Sequence, residues 1–266
     1  MSFDGKRSDI LIKSQWPEYF RGVITKTKGI VLRAVKYGET SLVVTVFTDI
    51  LGIQSYLVQG VRKSGKAGQR AIMLQPGALL TLDVYHSERK QLHRIRECAW
   101  SYVPAAVLSD VVKNCIALYW MEILQKCLSE PEPNTPLFSF CEDMLIALDR
   151  AEPTTTASIN LFFLIHLSRI LGFGISVPAG SEQPFWDYQE GHFTEKRPAH
   201  PHYTEDALTA SLKELFCVMH PDELTDIPLS RAERHKLLDA LQMHMANHVR
   251  GMNQLKSLPI VREILS

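Results

Sequence analysis

Arg62, Lys63, Lys66 and Arg70 are set among Gly60, Gly65 and Gly68, and no aspartate or glutamate occurs anywhere from residue 50 to residue 82. Cations without a local carboxylate call for an anion from outside, and phosphate is the first candidate. The run Gly60-Val-Arg-Lys-Ser-Gly65-Lys66-Ala67 also approaches a nucleotide phosphate loop, and Leu79-Leu-Thr-Leu-Asp83 imitates a magnesium-holding strand. Nucleotide hydrolysis fails on chemistry, because Ala67 has no hydroxyl for Mg²⁺. A phosphate loop must also open a helix, and the stretch from Gly68 to Gln75, closed by Pro76-Gly77, is too short for the crossover between parallel strands. A basic hairpin loop is the simpler expectation.

Other reactive constellations are weaker. His200 and His202 flank Pro201, and His244 and His248 lie one helical turn apart. A zinc site needs three or four converging N or S ligands, and no cysteine pair accompanies either set. Cys98, Cys115, Cys127, Cys141 and Cys217 form no Cys-x-x-Cys motif and are expected to be reduced thiols. Ser64 and Ser168 lie in no nucleophile elbow.

The formal net charge of zero conceals an asymmetry. Residues 1–97 hold 16 Lys and Arg against 8 Asp and Glu, whereas residues 98–266 hold 13 against 21. Two regions with different partners are expected. The cations of the first region are Lys26, Lys28, Arg33, Lys36, Arg62, Lys63, Lys66, Arg70, Arg89, Lys90, Arg94 and Arg96. Tyr37, Tyr56, Tyr85 and Trp100 are interleaved as possible stacking partners for unpaired bases. Phosphate contacts are expected from Arg33, Lys36, Arg62, Lys63, Lys66, Arg70, Arg94 and Arg96 in particular.

Elements to position these groups follow from periodicity. Residues 1–23 read as an N-terminal extension without an apolar signal-peptide core. Strand-like runs follow at Thr27–Lys36, Leu42–Thr48, Ile53–Gln59, Leu79–Tyr85 and about His93–Trp100. Alternation in the last run predicts Arg94, Arg96, Cys98 and Trp100 on one face, opposite Ile95 and Ala99. Five short strands in so few residues suit a closed barrel, which leaves no exposed edge. After Pro104 the period becomes helical, with one long helix reaching Leu128, a second at about Leu137–Arg150, and a third ending at Gly172 and Gly174. Val111, Cys115, Tyr119 and Leu124 on the first helix could face a partner peptide, though internal packing is the simpler role. A hairpin from Pro184 to Thr194 turns near Glu190-Gly191, and helices return at about Thr204–Met219, Ser230–Val249 and Ser257–Leu265. The expected class is α+β: a small closed or nearly closed β-barrel domain over 24–102, then a helical domain over 103–266 with a small inserted hairpin region at about 173–203. The apolar stretch near Leu161–Leu171 is too short and too polar to span a membrane.

In order along the chain, Thr27-Lys-Gly-Ile-Val-Leu32, Tyr37-Gly-Glu39-Thr-Ser41, Val46-Phe47-Thr48 with Gly52, Gly60-Val-Arg62-Lys63-Ser64 and Leu74-Gln75-Pro76 resemble the N-terminal half of the bacterial RecO family. Phe173 after its Leu-Gly pair, Tyr188-Gln-Glu-Gly191, Ser230-Arg231-Ala-Glu233-Arg234 and Leu255-Lys256-Ser257-Leu258 continue the resemblance to the end. It implies that the barrel is an oligonucleotide-binding (OB) fold, and that the protein is a DNA repair and recombination mediator that binds single- and double-stranded DNA and anneals complementary strands without ATP or any other cofactor. It further implies help in loading RecA onto DNA coated by single-strand-binding protein. The partners implied are RecR and the acidic C-terminal tail of single-strand-binding protein, in the cytoplasm and at the nucleoid when DNA is bound. Some members carry a four-cysteine zinc module, but residues 172–203 contain no cysteine. Zinc is therefore not expected, and Phe185, Trp186, Tyr188 and Phe193 would have to hold the hairpin. An RNA-binding barrel of RNA metabolism and a protein-interaction scaffold stay open as alternatives.

Overall fold

The structure is a computed structural model that describes residues 23–61, 71–87, 89–128, 130–177 and 183–265. Five strands, β1 (Val23–Tyr37), β2 (Ser41–Thr48), β3 (Gly52–Val58), β4 (Leu79–His86) and β5 (Leu92–Tyr102), close a barrel in the order β1-β2-β3-β5-β4. All neighbours are antiparallel except β3 and β5. The first half of β1 pairs with β4 and its second half with β2, and a bulge between Val31 and Arg33 bends the strand at the change. Val31, Val44, Val46, Tyr56, Leu80 and Leu82 fill the interior. Gly29 belongs to that packing, since a Cβ there would sit 2.6 Å from Val46 Cγ1.

Four barrel residues, Ile30, Leu32, Phe47 and Leu79, join a different core. They are at most 1% exposed and pack with the helices. These helices are α1 (Ala105–Ser109), α2 (Val111–Cys127), α3 (Thr135–Arg150), α4 (Pro153–Ile170), α5 (Asp206–Cys217), α6 (Arg231–His248) and α7 (Ser257–Ile264). Helix α4 is buried around most of its circumference and forms the centre of the bundle. Trp120 of α2 stacks on Phe163 of α4 at 4.4 Å, and its Nε1 donates to Asn160 Oδ1 at 2.8 Å.

Polar contacts fasten barrel to bundle. Phe47 meets Phe138 edge-on at 5.5 Å, Gln125 Nε2 donates to the Leu32 carbonyl at 3.1 Å, and Lys28 Nζ pairs with Glu142 at 2.9 Å. Tyr102 Oη donates to Asp149 Oδ2, while Asp149 Oδ1 accepts from the Val107 N–H. At the β2–β3 turn, Gly52 has φ +65° and a Cβ there would lie 2.5 Å from the Glu132 carbonyl oxygen. Only glycine satisfies both the left-handed backbone and the close approach.

Two expectations need correction. The long helix after Pro104 is two helices, because Asp110 is extended (φ −94°, ψ 124°) and its side chain caps α2 by accepting from Lys113 N–H. The inserted hairpin, β6 (Phe185–Asp187) with β7 (His192–Thr194), gains a third strand, β8 (Tyr203–Glu205), in the order β7-β6-β8. That strand occupies residues whose pattern suggested the start of a helix. Tyr119 and Leu124 are fully buried and line no exposed peptide groove, whereas Val111 is 71% exposed. Trp186 and Phe193 are buried beneath the small sheet. No described helix is long and apolar enough to cross a membrane.

Because the helical core includes barrel residues, barrel and helices are expected to unfold together in one denaturant transition. Phe47→Ala should cost about 3–5 kcal/mol by the transfer and cavity terms of a buried aromatic. Two separate transitions, or a loss below about 1 kcal/mol, would contradict a shared core.

Candidate nucleic-acid interface

The registers carry two outward rows across the part of the barrel that the helices leave uncovered. Arg33 of β1 lies beside Thr45 of β2, Ser55 of β3 and Leu92 of β5. In the next row Val35, Val43, Leu57, Arg94 and Tyr85 succeed one another on β1, β2, β3, β5 and β4. Arg33 and Val35 are exposed, Leu92 is 41% exposed, and Thr45, Ser55, Leu57, Arg94 and Tyr85 are half-buried. Arg33 and Arg94 are thus separated by three strand spacings, roughly 14 Å along the sheet. Between them lies a strip of hydroxyl and aliphatic groups.

The remaining candidate cations are placed differently. Lys36 is exposed, but alternation puts it on the side of Ala34, at the barrel rim rather than on the strip. Arg96 does not share a face with Cys98 and Trp100 as expected. A bulge between Asp83 and Val84 in the β4–β5 register shifts the phase, so Ile95, Cys98 and Trp100 all pack on the barrel interior. Arg96 is left exposed, 3.7 Å from Glu97, whose register partner is Asp83. Arg62, Lys63, Lys66 and Arg70 lie outside the described residues. Val61, the described residue before them, is buried and donates its N–H to the Thr40 carbonyl beside the β1–β2 turn.

Of the other strand cations, Lys28 is committed to Glu142, and Lys26 registers opposite Asp83. Tyr56 is no stacking platform, being fully buried inside the barrel. Burial raises its hydroxyl pKa, and its Oη finds no hydrogen-bond partner. Tyr37, 58% exposed, and Tyr85 remain on the surface.

Sequence reasoning missed a cleft beside the strip. Leu57, Tyr85, Lys90, Leu92 and Arg94 surround a hollow of about 190 Å³, with His93 in its wall. His93 is 3% exposed, and its ring lies 4.8 Å from that of His86 and 6.0 Å from Tyr56. Desolvation lowers the His93 pKa, helped by the nearby His86 and Lys90. The available signal was a pair of histidines bracketing a basic turn.

The histidines noted as possible metal ligands have other roles. His200 lies 3.1 Å from Asp187, and buried His244 contacts the Phe173 carbonyl at 3.2 Å. No group of three or more His, Cys, Asp or Glu converges among the described residues.

The class is set by a closed OB-like barrel joined to a helical domain. Residues 23–103 match the family described as Recombination protein O N terminal, and residues 108–259 match Recombination protein O C terminal. The chain is 31% identical over 244 residues to the DNA repair protein RecO of Flavobacterium psychrophilum, covering 91% of this chain and 99% of that one. It is 30% identical to the protein of the same name from Bacteroides fragilis (91% and 99% covered) and from Phocaeicola vulgatus (92% and 100%). The chain belongs to the RecO family of DNA repair proteins.

Burial lowers the pKa of His93, and likewise of His166 and His244, below the ordinary value of 6.5. The unfolded chain therefore takes up protons first as pH falls, so stability is expected to decline below pH 6.5. His93→Leu should reduce that decline in denaturant titrations repeated across the window. Stability unchanged between about pH 7.5 and 5.5 would contradict neutral buried histidines.

Proposed function

We propose that this protein is a non-enzymatic DNA repair and recombination mediator that binds single- and double-stranded DNA on the uncovered barrel face. It anneals complementary strands and assists loading of RecA onto DNA coated by single-strand-binding protein. The observation that carries this reading is the strip with Arg33 and Arg94 at its two sides, on a face of the barrel that the helices do not cover. Arg62, Lys63, Lys66 and Arg70, chosen on sequence grounds, are further phosphate contacts in this reading, and Arg96 adds to it at low salt. Holding two strands on cations releases their counterions and lowers the repulsion that opposes pairing. That step needs neither a covalent intermediate nor nucleotide hydrolysis, in keeping with the missing hydroxyl at Ala67.

RecR and the acidic tail of single-strand-binding protein are the proposed partners. For the tail, a groove of about 520 Å³ in the helical half offers Lys113 and Arg150 beside Val112, Ile264 and Leu265. A cation for a terminal carboxylate and apolar walls for side chains are the chemistry such a tail requires. Membership of a DNA repair family favours DNA over RNA as the polymer held.

Annealing of complementary oligonucleotides coated with single-strand-binding protein, run in EDTA without nucleotide, tests this reading. The protein is expected to accelerate pairing. Arg62→Ala, Lys63→Ala and Lys66→Ala together should weaken binding to all sequences alike and flatten the salt dependence by as much as about 2.7 in slope. No acceleration contradicts the mediator, and an unchanged slope removes this segment from the phosphate contacts.

A further inference from the structure

The hollow beside Leu57, Tyr85 and Arg94 does not end at β5. It shares Ser87, Lys90 and His93 with a larger groove of about 680 Å³ that runs under the β4–β5 turn to the seam between barrel and helices. One wall of that groove is apolar and comes from both halves of the protein: Ile50 and Ile53 from the barrel, Leu128, Pro131 and Pro133 from the segment joining α2 to α3. The lining also carries polar groups: Thr45, Gln54, Ser55, Gln91 and the His86–His93 pair. No described residue lining either part is a carboxylate.

Two observations give this groove a ligand chemistry. The first is continuity, since it opens directly from the strip where phosphates are proposed to lie, with Lys90 at the junction and Arg94 in the adjoining hollow. The second is a pair of buried polar atoms without partners on residues that line it, His86 Nδ1 and His93 Nδ1. Such atoms are costly to leave unmade, at about 1–3 kcal/mol each, and they collect where another molecule completes the bonding. A groove lined by both apolar and hydrogen-bonding groups matches a nucleobase, whose flat faces are apolar and whose edge carries donors and acceptors. In a duplex both faces are stacked and the pairing edge is occupied, so only an unpaired nucleotide can enter.

The geometry points to the seam groove as a subsite for one unpaired nucleotide of a strand held on the barrel face, with His93 and Ile50 as determinants of single-strand preference. This rests on the reading of the barrel as a DNA holder and adds to it a means of distinguishing single from paired strands. The base lies against Ile50 and Pro133, its edge faces the histidine pair, and its phosphate is left at the Lys90 and Arg94 end.

The test uses the full-length protein and fluorescence anisotropy with three probes of equal length: a mixed-sequence single strand, its duplex, and an abasic single strand. Ile50→Glu places a carboxylate in the groove from a position that is 48% exposed, so it leaves the fold intact. His93→Phe removes the polar edge while keeping a ring, with far-ultraviolet circular dichroism as a check. Both variants are expected to weaken the mixed-sequence strand about ten-fold, the scale of one lost base contact, and to leave duplex and abasic binding within about two-fold of the parent. Equal losses on all three probes, or no loss on any, overturn the subsite. If a synthetic acidic peptide binds the parent and is lost in Ile50→Glu while DNA binding is untouched, the groove is a protein site and the proposal falls. Failure of the parent protein to bind any probe instead defeats the DNA-holding reading itself.

Discussion

Four aliphatic and aromatic side chains, Ile30, Leu32, Phe47 and Leu79, face out of the barrel rather than into it, and everything else follows from where they go. An exposed apolar arc of this kind must be covered, and the helices cover it with the same core that holds the bundle together. Covering that arc fixes the orientation of barrel against bundle. It leaves the outward rows of β1, β2, β3 and β5 among the barrel surfaces open to a ligand. The Lys28–Glu142 and Tyr102–Asp149 contacts trim the edges of the seam but are partly exposed and contribute less.

The charge asymmetry acquires a spatial meaning from this arrangement. Basic residues cluster in the barrel and acidic ones in the helices, so a polyanion is drawn to one end of the molecule and repelled from the other. Some of the basic surplus is spent internally: Lys28 on Glu142, Arg96 beside Glu97, Lys26 opposite Asp83. Among the described residues, Arg33, Arg89, Lys90 and Arg94 also lie on the barrel surface, with Lys36 at the rim. The seam groove lies where this cationic surface meets the helical half, so a strand following the barrel would pass from a charged surface into an apolar one.

Much of the architecture was legible in the chain. Alternation and glycine punctuation located the five strands to within a few residues, and the change of period after Pro104 marked where helices begin. Features set by tertiary context were not legible. The bulge at Asp83–Val84 reverses the phase of β5 midway, so a face assigned by counting from Arg94 is wrong by Cys98. Asp110 interrupts a helical pattern that hydrophobic spacing carries straight through, because its capping bond outweighs propensity at a single residue. Strand β8 is three residues long and exists through pairing with β6, which leaves no local period to read. The seam groove draws its walls from residues 45–55, 86–93 and 128–133, a juxtaposition created only by closure of the barrel against the bundle.

The central claim is that DNA lies on the barrel face left open by the helices, not on the acidic helical half. Hydrogen–deuterium exchange of the full-length protein with and without a single-stranded oligonucleotide tests it most directly. Added protection is predicted in the segments around residues 41–45, 55–57 and 85–94, with the backbone of α3 to α6 unchanged. Protection confined to the helices, with those barrel segments unaltered, would contradict the account.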